Sequence, residues 1–339
     1  MDTWGFINSF GVFQTTYTTL FAPISPSAIS WIGSIQVFLL FFVGTPAGWL
    51  SDGGHFRPVL LVGSLLQVVG LFCAAQATEF WQLLLAQGLC MGLGNGLVFC
   101  PSLAVVSTYF RRRKSLAIGI GMAGSASGGL IFPSMVRQLL PRVGFPWTMR
   151  AIACVQLASL AIVNLLMRPR LPPSKGKPVI DPSAFRDPVY CLYAASMFFN
   201  FFGVYFAFWY IASFARTEIH GQSFSYEESL NLLLILNGVG LVGRVLPNYI
   251  SDRKAGPINT LLPMSTISGI LCLCWIAVEN RAGMYSWTVV YAITAAAVQS
   301  MSPAALSSLT EDLRLVGVRT GMVFTILLAG GGKDSQSTG

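Results

Sequence analysis

Apolar residues in this chain come in blocks of roughly 20, separated by short polar turns. A helix rises about 1.5 Å per residue, so such blocks cross a hydrocarbon core of about 30 Å. The pattern predicts segments at 4–22, 28–50, 58–77, 81–107, 115–137, 145–167, 188–214, 228–250, 258–278 and 284–308, with a short eleventh run at about 317–331. The pattern lacks the shorter alternating segments of a membrane β-barrel. Among the connections, 168–187 (RPRLPPSKGKPVIDPSAFRD) stands out as long, rich in proline and charge, and without an apolar helical face. It reads as a linker between two bundles, six segments before it and at least five after. The expected fold is an all-α polytopic membrane protein divided as 1–167, 168–187 and 188–339.

The halves echo each other. LSDGGHFRP at 50–58 follows the second segment, and ISDRKAGP at 250–257 follows the eighth. Internal repeats of this kind are typical of secondary transporters, whose substrate site lies at the repeat interface near mid-membrane.

Composition agrees with the bilayer as solvent. The chain has 339 residues, 54% hydrophobic and 10% charged, against about 25% charged in soluble proteins. Lysine and arginine counts orient it. Fourteen fall on the side of the N-terminus, including Arg57, the cluster 111–114, Arg253 and Arg319, and five on the other side. That bias places the linker in the cytoplasm. It also accounts for the net charge of +8 as a topology signal, so nucleic acid is not expected as a partner. Met1-Asp2 runs directly into WGFINSFGVF, with no basic region and no cleavage site, so no cleavable leader is expected.

Enzyme chemistry finds no purchase. His55 and His220 lie in loops on opposite sides, and no HExxH, GxSxG or GxxxxGK[ST] sequence occurs. The absence of the last argues against ATP-driven pumping by this chain. The seven cysteines lie in or beside apolar blocks and read as small buried hydrophobes. Cys272 and Cys274 lack the third and fourth ligands that zinc needs, so no cofactor or metal is expected. Two segments match GxGxxG, at Gly119–Gly121–Gly124 and Gly238–Gly240–Gly243, but both sit within apolar helices and open no βαβ unit. These glycines, with Gly128, read instead as close-packing positions between helices in lipid.

Charges inside the apolar segments carry more information. Arg244 lies eight residues before Asp252, about 12 Å along a helix. An arginine at mid-helix costs about 2.5 to 3.5 kcal/mol on insertion scales. Snorkelling to the headgroups would lessen that cost. An anion site facing a central cavity would use it, because guanidinium holds a carboxylate bidentately. Asn237, seven residues earlier, is on about the same face. Asp52 and Asp252 are candidate gate residues. Each would cap a helix or pair with a cation of the same side, among them Arg57, Arg112, Arg113 and Arg253. In the seventh segment, Phe198, Phe199, Phe202, Tyr205 and Trp209 could stack on a ring, with lipid contact or core packing as the simpler account.

The stretch YFRRRKSLAIGIGMAGSASGG (109–129) resembles the loop and fifth-helix signature of the monocarboxylate transporter family, within the major facilitator superfamily. GLGNGLVFCPSLAVVSTYF (92–110), GRVLPNYISDR (243–253) and AAVQSMSPAALSSLTEDL (296–313) resemble its fungal branch. The resemblance implies two pseudo-symmetric six-helix bundles working by alternating access. It implies carriage of small organic anions, with a proton in many members, across the plasma membrane. The family's eighth-helix arginine, implicated in carboxylate binding, falls on Arg244. Its companion acid is here Gly240, and the first-helix lysine of animal members falls on Asn8. Fungal relatives also carry larger compounds such as riboflavin, so a larger metabolite is the alternative cargo. The family's first helix begins upstream of TWGFINSFGVF, and its twelfth has no counterpart after GGGKDSQSTG. The resemblance thus implies a chain truncated at both ends, with a non-transporting paralogue as a further alternative.

Overall fold

The computed structural model describes residues 1–21, 24–110, 112–170, 181, 183–217, 219, 224–310 and 315–331. Arg111, His220, Arg314, most of the predicted linker and the tail beyond 331 lie outside them, as does the side chain of Trp209. The described residues are helical, with no strand among them.

The helices are α1 (Trp4–Asn8), α2 (Phe10–Leu20), α3 (Pro26–Phe42), α4 (Gly44–Leu50), α5 (Phe56–Ala74), α6 (Phe80–Leu83), α7 (Met91–Tyr109), α8 (Lys114–Leu166), α9 (Pro188–Thr217), α10 (Tyr226–Ile250), α11 (Pro257–Cys274), α12 (Arg281–Leu309) and α13 (Val316–Gly331). Among the described residues, seven helical stretches are long and apolar enough to cross a membrane. Two of them, Ser27–Ala74 and Lys114–Leu166, are bent and each holds two of the predicted segments. In α8 the bend falls at Gly144, whose φ of +75° breaks the helical run between Pro141 and Pro146. A left-handed backbone there needs glycine. Between α1 and α2 the Ser9 hydroxyl bonds back to the Gly5 carbonyl at 2.7 Å, a habit that bends helices.

The sequence repeat has a structural counterpart. Ser51–His55 and Ser251–Ala255 are both wide π-type turns that join consecutive helices. Gly54 with φ +97° and Gly256 with φ +79° complete the reversals.

Burial sorts the helices by role. In α12, 83% of the most apolar window is buried, against 22% in α11. The first is therefore a core helix and the second a lipid-facing one. Small residues make the first possible: Ala292, Ala295, Ala296, Ala297 and Ser300 are all buried. Leu192, Leu262, Leu273 and Ile276 point outward, which suits lipid and would be a liability in water.

Across the halves, α4 packs on α13, and α8 packs on α10 and α12. Glycine permits the approach. A Cβ on Gly48 would lie 2.5 Å from the Gly317 carbonyl oxygen, and one on Gly119 would lie 2.5 Å from that of Arg244. Within the first half, Gly5 and Gly128 meet backbone to backbone, with a Cβ on Gly128 only 2.8 Å from the Gly5 Cα. Gly124 lies against Met1, and Gly243 against the Ile293 backbone. Gly121 and Gly238 face open space, so the GxGxxG matches divide into packing and non-packing positions.

That division is testable. Gly119→Ala and Gly243→Ala force backbone to move, and overpacking of this kind costs about 1–3 kcal/mol. Gly121→Ala and Gly238→Ala add a methyl to empty space and improve helix propensity by about 1 kcal/mol. Thermal unfolding in detergent is expected to show the first pair clearly below the native protein and the second pair at or above it.

Candidate substrate site and gate

A narrow central cleft, nearly filled by its own side chains, lies where the halves meet. Trp4 and Asn8 come from α1, Phe99 from α7, Met122 and Ser125 from α8, Phe201 and Tyr205 from α9, and Gln299 from α12. Its walls are aromatic. Trp4 and Tyr205 stack across the halves with centroids 5.6 Å apart and planes 11° apart. Phe99 meets Trp4 edge-on at 6.0 Å, and Phe201 tilts against Tyr205 at 5.8 Å.

Arg244 sits one hydrogen bond behind this wall. Its Nη2 donates to Gln299 Oε1 at 2.8 Å, and Gln299 borders the cavity. The guanidinium is 1% exposed. Among the described residues its Nε and Nη1 have no hydrogen-bond partner, and no carboxylate lies within ion-pair distance. Tyr205 is close enough to interact with it electrostatically. The side chain folds back over Gly240, where a Cβ would lie 2.8 Å from Nη1. Below it, Asn248 donates to the Arg244 carbonyl at 2.7 Å and to Ser300 Oγ at 2.8 Å, tying α10 to α12.

The predicted site residues thus separate. Asn8 and Tyr205 line the cavity, while Arg244 stands behind it. Asn237 turns toward α8, with a Cβ on Gly129 only 2.7 Å from its Oδ1. Of the aromatic run, Phe199 and Phe202 face outward and Phe198 packs against the core. Cys272 Sγ reaches the Tyr291 hydroxyl at 3.8 Å, and Cys274 is exposed. Gln299 and Trp4 are among the lining residues that sequence reasoning missed. The signal for Gln299 was available: it is the lone amide in an otherwise apolar and small-residue helix.

On the basic side the two repeated aspartates do matching work. Asp252 Oδ1 accepts from the Ser115 N–H at 3.0 Å and Oδ2 from the Leu116 N–H at 2.8 Å. These are unsatisfied first-turn donors of α8, the place where a carboxylate is most favourable. Asp52 Oδ2 accepts from the Val318 N–H, in the first turn of α13, at 3.2 Å. Each aspartate therefore caps a helix of the opposite half. Lys114 Nζ adds a bond to the Ser307 carbonyl at 3.0 Å. Arg319, next to Val318, pairs through Nε with Asp181 at 3.0 Å and lies over the Tyr190 ring at 5.7 Å. Arg57, Arg112 and Arg113 are exposed, and Arg253 stacks on Tyr249 at 4.6 Å.

Comparison with known proteins decides the family. The family model described as Major Facilitator Superfamily matches residues 1–332. The chain belongs to the major facilitator superfamily. An "MFS-type transporter" of Gibberella zeae is 50% identical over 327 residues, covering 96% of this chain and 74% of the relative. The "Agnestins efflux protein AgnL12" of Paecilomyces divaricatus is 34% identical over 330 residues, covering 96% and 75%. Among solved structures, the transporter FucP in its outward conformation matches with a TM-score of 0.74 at 16% identity, covering 98% of this chain and 87% of that one. The human organic anion transporter MFSD10 matches at 0.70 and 15% identity, covering 97% and 88%.

As a member of this superfamily the chain is an integral, multi-pass membrane protein of a transporter fold, and small molecules are what such proteins handle. Its relatives and structural neighbours are transporters rather than enzymes.

Loss of a cap costs about 0.5–2 kcal/mol. In a cysteine-free background carrying Ser125→Cys, Asp252→Ala and Asp52→Ala are each expected to speed labelling of that cysteine by an impermeant thiol reagent applied from the basic side. Unchanged labelling in both would remove the caps from the closure.

Proposed function

We propose that this chain carries a small organic anion across a fungal plasma membrane by alternating access, with Arg244 as the anion's anchor. The observation that carries this reading is the state of the guanidinium. It is buried, holds one neutral acceptor in Gln299, and has two further donors unused among the described residues. A buried charge left without compensation is costly, so an anionic cargo that completes the set is favoured over a neutral one.

Residues 1–167 and 188–339 act as the two moving bodies, joined by the cytoplasmic linker. Asp52 and Asp252 hold the cytoplasmic side shut, and their caps break when that side opens. The positions that resemblance assigns to proton-coupling groups hold Gly240 and Asn8. On this reading neither position carries a proton, and the anion moves uncoupled. An inside-negative potential then drives an anion outward, by about 2.3 kcal/mol per charge for each 100 mV. Export also accords with the efflux recorded in the name of the agnestins relative. The likeness to the monocarboxylate transporter signature at 109–129 supports the anionic cargo.

Arg244→Gln keeps a polar side chain but removes the charge. Vesicles bearing it are expected to lose at least about 90% of the anion flux of the native protein, as loss of a charge-assisted contact of about 1.4 kcal/mol or more requires. Measuring efflux of a labelled organic acid panel under an imposed potassium-diffusion potential checks both points. Undiminished flux in the mutant sinks the anchor. Flux that follows a pH gradient and ignores the potential sinks the uncoupled mechanism.

A further inference from the structure

The position of Gln299 goes further than the anion reading and rests on it. Arg244 does not border the cavity, but Gln299 does, and its Oε1 occupies the guanidinium's Nη2 at 2.8 Å. Any anion arriving in the cavity meets the amide before it meets the charge. An amide oxygen is a neutral acceptor, set where one oxygen of a carboxylate would bind. A carboxylate in its place brings the opposite charge and a second oxygen, so it can hold the guanidinium bidentately. The guanidinium can shift toward it, because among the described residues no acid pairs with it and Gly240 adds no side chain beside it.

The rest of the cavity sets the kind of anion. Four aromatic rings, Trp4, Phe99, Phe201 and Tyr205, surround the space in front of Gln299. Two of them, one from each half, already stack face to face. Offset stacking and edge contacts are worth about 0.5–1.5 kcal/mol per pair beyond area burial. A flat ring could exchange for the Trp4–Tyr205 contact without loss, whereas a short aliphatic acid would leave both faces uncovered. Asn8 and Ser125 supply polar groups for a ring substituent.

We propose that Gln299 is the resting-state stand-in ligand of Arg244, displaced by the carboxylate of a planar aromatic acid whose ring stacks on Trp4 and Tyr205. Gln299 is thus a specificity-determining residue: it satisfies the cation when the carrier is empty and yields only to an acceptor that bears charge.

The test uses the full chain in nanodiscs with 2-naphthoate as probe, 2-naphthalenemethanol as its neutral analogue and cyclohexanecarboxylate as its aliphatic one, by isothermal titration. The native protein is expected to bind 2-naphthoate about tenfold or more tightly than either analogue, a difference of about 1.4 kcal/mol or more. Gln299→Glu places a permanent carboxylate on Arg244. It is expected to weaken 2-naphthoate at least about tenfold, leave the alcohol unchanged and raise the melting temperature. Gln299→Ala removes the competitor, and 2-naphthoate is expected to bind as tightly as before or more so. Arg244→Gln is expected to abolish the preference for the acid over the alcohol. If 2-naphthoate does not bind, or cyclohexanecarboxylate binds equally well, the aromatic class is overturned. If Gln299→Glu binds like the native protein, or Gln299→Ala binds more than tenfold worse, displacement is overturned, while a loss in Arg244→Gln would keep the anchor. If Arg244→Gln retains the acid preference, the anion reading itself falls.

Discussion

One buried guanidinium organises the centre of this protein. Arg244 sits where water cannot reach it and where no carboxylate answers it among the described residues. Its surroundings are arranged around that charge. Gly240 opens room on its own helix, the alanines of α12 let the two helices close on it, and Gln299 offers one neutral oxygen. Asn248 fixes the backbone below it to α12. Filling the glycine gap or enlarging the alanines would push the cation toward the cavity or out of the helix pair. The cost of a buried charge is thus the constraint from which the small-residue character of α10 and α12 follows.

The same logic of unsatisfied groups governs the basic side. Helix N-termini present donors with no internal partner, and in α8 and α13 those donors belong to the buried Ser115 and Val318. Asp52 and Asp252 serve donors that belong to the opposite half. A contact of this kind is specific in geometry yet weak enough to break, since a cap contributes about 1 kcal/mol. Glycine at 48, 119 and 317 brings the backbones within reach. Close packing and capping therefore depend on each other: without the glycines the helix ends would stand too far apart for the carboxylates. In the proposed cycle, these paired caps and the Trp4–Tyr205 stack are the contacts between halves that must part in turn.

The order of helices was legible because the bilayer writes it directly into composition. Eleven apolar segments, their turns and the Ser-Asp repeat at 51–52 and 251–252 all correspond to elements of the structure. The buried arginine was legible for the same reason, since a charge in an apolar block has few innocent explanations. Gln299 was harder to see. A single glutamine in a helix is unremarkable until its partner is known, and that partner is 55 residues away. Asn237 shows the opposite failing. Spacing along one helix put it on the face of Arg244, but the neighbouring helix decides which part of a face meets a cavity, and there α8 covers it.

What the sequence determined by itself is the solvent, the all-helical fold and the order of its segments, the internal repeat and the presence of one costly charge. These depend on local composition and period, which a chain carries wherever it folds. The tertiary structure alone decided that the repeated aspartates cap helices across the halves rather than their own. It also decided that Arg244 stands behind Gln299 instead of lining the cavity, and that Trp4 meets Tyr205. Such facts depend on which helix lies beside which, and at what depth. Packing of glycines and alanines against backbone fixes that depth, which no periodicity in one segment can supply.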